Sequence, residues 1–104
     1  MSEVKSFKTV GGDEIVSEVI SSVFEGEKVV KYNLRRPQVL QFQPVAPGKM
    51  GLAFVPWLLS NPELDSVEVP VAVLPFCFPT ATEVERQYLT QMSGIQIAGA
   101  GSIS

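Results

Sequence analysis

Few residues in this chain are equipped for chemistry. There is no histidine, which removes the commonest general base and the commonest metal ligand. One cysteine without a histidine excludes a Cys/His zinc site and leaves Cys77 with no base to activate it. Cys77 lies in Leu74-Pro75-Phe76-Cys77-Phe78 and reads as a small buried hydrophobe. Being single, it forms no internal disulfide, in keeping with a reduced cytoplasmic setting. The nearest carboxylate pairs are Asp13-Glu14 and Glu83/Glu85. The first reads as turn polarity and the second as the first turn of a helix, where negative charge suits the dipole. Gly11-Gly12 lacks the Gly-Lys-Ser/Thr ending of a phosphate loop. No catalytic residue, metal or cofactor is expected. What remains is a small basic set, Lys31, Arg35 and Arg36, with Asn33 and Tyr32 interleaved and Lys49 further along. It reads either as a solvated strand face or as a nucleic-acid contact.

The bulk composition points to partners rather than catalysis. The chain has 104 residues, enough for one domain, with 45% hydrophobic and 18% charged residues and a net charge of −3. Its mean hydropathy is +0.21. Average domains carry about 25% charge, so part of this surface is expected to face something other than water. A membrane span needs about 20 consecutive apolar residues. The best run, residues 50–59, is half that and contains Gly51 and Pro56. No membrane is therefore expected, and self-association is the commonest alternative. The acidic balance argues against indiscriminate nucleic-acid binding. The N-terminal Met1-Ser2-Glu3-Val4-Lys5 lacks the features of a secretory signal.

Short runs between turn signals predict a mainly β domain. Residues 4–10 read as a first strand, and Gly11-Gly12 supplies a tight turn. Residues 14–24 fit two patterns. Ile15, Val16, Val19, Ile20, Val23 and Phe24 fall at helical spacing, while their β-branched side chains favour a long bent strand. Residues 28–43 alternate, with Val30, Tyr32 and Leu34 on one face and Lys31, Asn33 and Arg35 on the other; Pro37 makes the strand bend or reach an edge. Residues 49–57 put Met50, Leu52 and Phe54 on one face, and Pro56 marks an end or edge. Asn61-Pro62 is a turn. Residues 66–76 carry Val67, Val69, Val71 and Val73 on one face and Ala72, Leu74 and Phe76 on the other, with Pro70 and Pro75 pointing to an edge. A helix over residues 81–92 follows, with Thr80 as N-cap, Glu83 closing a capping box, a stripe of Val84, Tyr88 and Met92, and Gly94 as C-cap with Ile95 packing back. Residues 98–104 read as a flexible tail.

The strings "FKTVGGDEIVSEVI", "VVKYNLRRPQVLQF", "KMGLAFVPWLL" and "VEVPVAVLPF" together resemble the Sm-like (LSm) small β-barrel over residues 4–97. "GDEIVSEV", "NLRRPQVL", "FVPWLL" and "QYLTQMSGI" are similar, more narrowly, to Sm-like proteins of tailed cyanophages. The resemblance implies a strongly bent five-stranded barrel with residues 14–24 as a strand, here followed by a C-terminal helix where the family helix is N-terminal. It implies a homo-oligomeric ring of five to seven copies, in which the fourth strand of one subunit pairs with the fifth of the next. Met50, Leu52, Phe54, Trp57, Val69, Val71, Val73, Leu74 and Phe76 are then expected at that interface. For Trp57, core and interface both fit. The resemblance further implies RNA or single-stranded nucleic acid as ligand, in the host cytoplasm during infection, with Lys31, Asn33, Arg35, Arg36 and Lys49 as contacts. The family's usual RNA motifs are missing: the corresponding places read "VFEGEKVV" and "WLLSNPELDS". A protein-interaction ring without nucleic acid is the alternative.

Overall fold

The computed structural model describes residues 3–61 and 63–99. Pro62 of the expected turn, the packing of Ile95 and residues 100–104 of the expected tail lie outside the described residues. Among the described residues, six strands and one helix run in the order β1 (Glu3–Lys8), β2 (Glu14–Glu25), β3 (Lys28–Ala46), β4 (Lys49–Pro56), β5 (Ser66–Pro70), β6 (Phe76–Pro79) and α1 (Thr82–Gly99), with a one-turn 3-10 helix, Val71–Val73, between β5 and β6. All pairings are antiparallel. The sheet runs β4-β3-β2-β1-β6, and β5 pairs with β3 off that path. The ladders do not close into a barrel, because β5 and β6 are joined by chain rather than by pairing.

Residues 14–25 are a strand throughout, since β1 and β3 pair with both of its edges. The helical spacing there reflects a two-sided burial: Ile15 and Val16 are adjacent, both fully buried, and enter different cores. Gly12, at φ +97°, takes the left-handed backbone of the β1–β2 turn that a side chain would resist.

The expected single fifth strand over residues 66–76 is broken. Pro70 stands at the start of the 3-10 turn with φ −62°, the angle its ring imposes. The turn changes which way the chain points. Val69 and Leu74, five apart, would face opposite sides of an unbroken strand, yet both enter one core with Phe7, Ile15 and Leu34. The Val10 amide donates to the Val73 carbonyl (3.0 Å) and ties the turn to the end of β1. β5 thus belongs to the ladder of β3 and β6 to that of β1.

A second core lies on the other face of the sheet. There Val16 and Phe54 pack against Tyr88 of α1, with Val4, Leu40, Leu52, Val84 and Met92 around them. The stripe expected on the helix is the face that packs. Its ends differ from expectation. Thr80 Oγ1 is turned to Ser6 Oγ (2.8 Å) instead of capping, and Glu83 accepts from Arg86 and Gln87. Those donors hold its carboxyl below the ordinary range. The helix also runs through Gly94 to Gly99.

Candidate functional site: the bend of β3 and two unpaired edges

β3 is nineteen residues long, and its edge away from β2 is shared. Residues 31–35 pair with β5, and residues 38–46 pair with β4. The switch falls at Arg36-Pro37. Between Val16/Gln38 and Glu18/Arg35 the register slips, leaving one extra residue on β3, a bulge of the kind that bends a strand and re-aims its side chains. Pro37, which has no N–H to give a ladder, sits here, and Arg36 takes φ +50°. That region costs a non-glycine residue about 1 kcal/mol, so surrounding bonds must hold it. Ser17 Oγ donates to the Arg35 carbonyl (2.9 Å). The Tyr88 hydroxyl lies within bonding reach of the Arg35 (2.9 Å) and Arg36 (3.1 Å) carbonyls as donor and accepts from the Glu18 amide (3.2 Å). Gln38 Nε2 donates to the Pro37 carbonyl (3.3 Å). Burial pushes the Tyr88 hydroxyl's pKa up, so it stays protonated.

The bend presents the basic set. Lys31, Asn33 and Arg35 stand on the face away from buried Leu34, in accord with the alternation in the sequence. Each cation there meets a carboxylate: Lys31 with Glu68 (3.6 Å), Arg35 with Asp65 (3.3 Å) and Glu18 (3.9 Å), and Arg36 with Asp65 (3.4 Å). Asn33 is the ladder partner of Glu68. A shallow cavity of about 220 Å³ opens beside Arg35 and Arg36, lined also by Glu18, Asp65, Tyr88, Leu89 and Met92. The patch is therefore balanced in charge. Lys49 does not join it. It lies at the β3–β4 hairpin tip, opposite Ala46, eleven positions along β3 from Arg35 and beyond the bend.

Sequence reasoning missed Glu18, Asp65 and Glu68 as partners of the cations. They come from β2, β5 and the loop before β5, and only the register brings them there. It also missed the role of the Tyr88 hydroxyl, although the helical stripe had pointed the ring inward.

The edges divide the expected interface residues into two groups. Among the described residues, no strand pairs with the outer edge of β4 or of β6, the two ends of the sheet path. Met50 (62% exposed) and Phe76 (59%) lie open at those ends. Phe54, Val69 and Leu74 do not. They are buried in the chain's own two cores. Trp57 and Val73 are half-buried against the first core, and Leu52 against the second. Val71 is half-buried in the 3-10 turn. The Trp57 amide donates to the Pro37 carbonyl (3.1 Å), so this residue serves the β3 bend. Phe42, outside the expected set, is the most exposed aromatic, at 74%.

Cys77 is exposed, not buried as expected. The β1–β6 register puts it opposite Phe7 at the sheet's end, where no further strand pairs among the described residues. Partial burial still raises its thiol pKa, with Lys5 opposing. Burial and the neighbouring Cys77 raise that of Tyr32, whose ring packs 5.3 Å from Phe7. Among the described residues no group of acidic, histidine or cysteine side chains is placed to hold a metal, and no helix is long and apolar enough to cross a membrane. No family model and no curated protein matches this chain.

Proposed function

We propose that this protein is an Sm-like subunit that assembles with copies of itself into a closed ring. The free edge of β4 in one copy pairs with the β5–β6 side of the next. The observation that carries this reading is the pair of unpartnered sheet ends, each bearing an exposed large apolar residue, Met50 on β4 and Phe76 on β6. Open strand edges invite pairing with another chain. Two different edges form a heterologous contact, and a ring results when the rotation closes. Further support is the sharply bent third strand, with its bulge at Arg36-Pro37, together with the resemblance noted above. Native mass spectrometry tests it. A single closed oligomer of fixed stoichiometry is expected; a monomer at micromolar concentration overturns the reading.

The ligand of this ring is RNA or single-stranded nucleic acid, contacted by Lys31, Asn33, Arg35 and Arg36, with the host cytoplasm during infection as its setting. Lys31 and Arg35 keep nearly half of their side chains exposed. Exposed ion pairs contribute only about 0–1 kcal/mol, so a phosphate can take a carboxylate's place. Repetition around the ring multiplies a weak patch. Short U-rich and A-rich RNA should bind at low salt, lose affinity as salt rises, and lose it further with Arg35→Ala plus Arg36→Ala. A second reading, a protein-interaction ring, is favoured by one observation: each cation at the bend already faces a carboxylate. Absence of RNA binding at low salt selects it.

A further inference from the structure

The register shows on which side of the sheet each exposed apolar residue stands. On β3 and β4, Phe42 is opposite Leu52, Pro44 opposite Met50, and Leu40 opposite Phe54. Leu40, Leu52 and Phe54 pack under α1, so Phe42, Pro44 and Met50 continue the same helix-bearing face beyond the reach of the helix. At the other end, Phe78 is opposite Ser6 and Phe76 opposite Lys8. Ser6 is paired with Val16 on β2, and Val16 belongs to the core beneath α1. Phe76 and Phe78 therefore stand on that face too, with their rings 5.3 Å apart. Both free ends of the sheet thus carry exposed apolar residues on the helix-bearing side, Phe42 and Met50 at one and Phe76 at the other, while Val45 is exposed on the opposite face.

We infer that the Phe76–Phe78 pair of one copy packs against Met50, Leu52 and Phe42 of the next, forming an apolar seam between neighbouring helices. This rests on the ring reading and specifies which side chains join it. Phe42 at 74%, Met50 at 62% and Phe76 at 59% exposure together leave on the order of 400 Å² open. A stable interface buries about 1,600 Å² over both partners, so this seam supplies about a quarter, and the paired strands and their flanks the remainder. A second copy is the fitting occupant because it alone brings a matching unpaired edge and a matching apolar pair on the same side.

The test compares wild type with Phe76→Glu, Met50→Lys and the double variant by native mass spectrometry over a dilution series, with circular dichroism to confirm the fold. Each single variant should raise the concentration for half-assembly about tenfold or more, and the double variant should recover part of that loss. Chains carrying Met50→Cys should also cross-link on oxidation to separate chains carrying Phe76→Cys, both in a Cys77→Ser background. If wild type assembles and Phe76→Glu assembles equally well, the seam is wrong while the ring stands. If wild type is monomeric, ring and seam fall together. If the variant's loss appears only with a different bound protein, the occupant is that protein and the inference is overturned.

Discussion

β3 passes through two environments. Over residues 31–40 it lies between two cores, with Leu34 fully buried on one side and Leu40 packed beneath α1 on the other. Over residues 41–46 every position is exposed, as are Lys49 and Met50 across the hairpin. Residues 31–35 are paired on both edges, to β2 and β5, whereas residues 41–46 are paired on one edge alone, to β4. Backbone pairing thus extends the strand well past the point where side chains find anything to pack on. The molecule's extents are 48 × 34 × 28 Å, and its radius of gyration is 14.7 Å, against about 13 Å for a compact chain of this size. The lesson is that the body of the protein stands on its own burial, while the arm is held by backbone pairing and leaves its side chains open.

Substitutions in the two halves should separate sharply. Phe7→Ala, in the fully buried first core, should lower the unfolding free energy by about 3–5 kcal/mol, measured in urea at concentrations where chains are separate. Tyr88→Phe keeps the ring but removes the hydroxyl that satisfies the Glu18 amide and the carbonyls of the bend. The loss should be about 1–3 kcal/mol, with faster amide exchange at Glu18 as a local readout.

The same hydroxyl predicts a pH response. Burial raises its pKa above the ordinary value of 10.0, so the folded state favours the protonated form. Its contribution is complete below the unfolded value and is lost as pH rises through the interval up to the folded one. Stability should fall in alkali above about pH 10, and Tyr88→Phe should flatten that fall. Tyr32, raised in the same direction, should leave a residual slope.

In the arm the effects should be small. A Cβ on Gly51 would lie 2.5 Å from Val45 Cγ1. Gly51→Ala should therefore push Val45 off its rotamer at a cost of about 0.5–1.5 kcal/mol, and adding Val45→Ala should remove that cost. Phe42→Ser, at a side chain touching little in its own chain, should change the stability of the separate subunit by less than about 0.5 kcal/mol. A loss of several kcal/mol there would erase the contrast between arm and body.

The elements were legible where a local rule decides them. Alternation marked β3 and β4, the glycine turn marked the β1–β2 hairpin, and the stripe of Val84, Tyr88 and Met92 marked the packing face of α1. Residues 66–76 defeated the same reasoning. Alternation assigned their side chains to two faces, and only Pro70 and the following 3-10 turn show how Val69 and Leu74 come to share one core. The candidate site was half legible. Lys31, Asn33 and Arg35 stand together as their spacing required, but the carboxylates that balance the cations do not adjoin them in the chain.

The amino-acid sequence alone determined a mainly β chain with a C-terminal helix, an apolar strand over residues 49–57, and a residue set with no histidine and a single cysteine. These follow from local preferences and residue types. Tertiary structure alone decided which apolar residues are core and which are open, how β3 divides its edge between two partners, and that Glu18, Asp65 and Glu68 face the cations. Those outcomes depend on the register between distant strands, set by the packing of the whole chain.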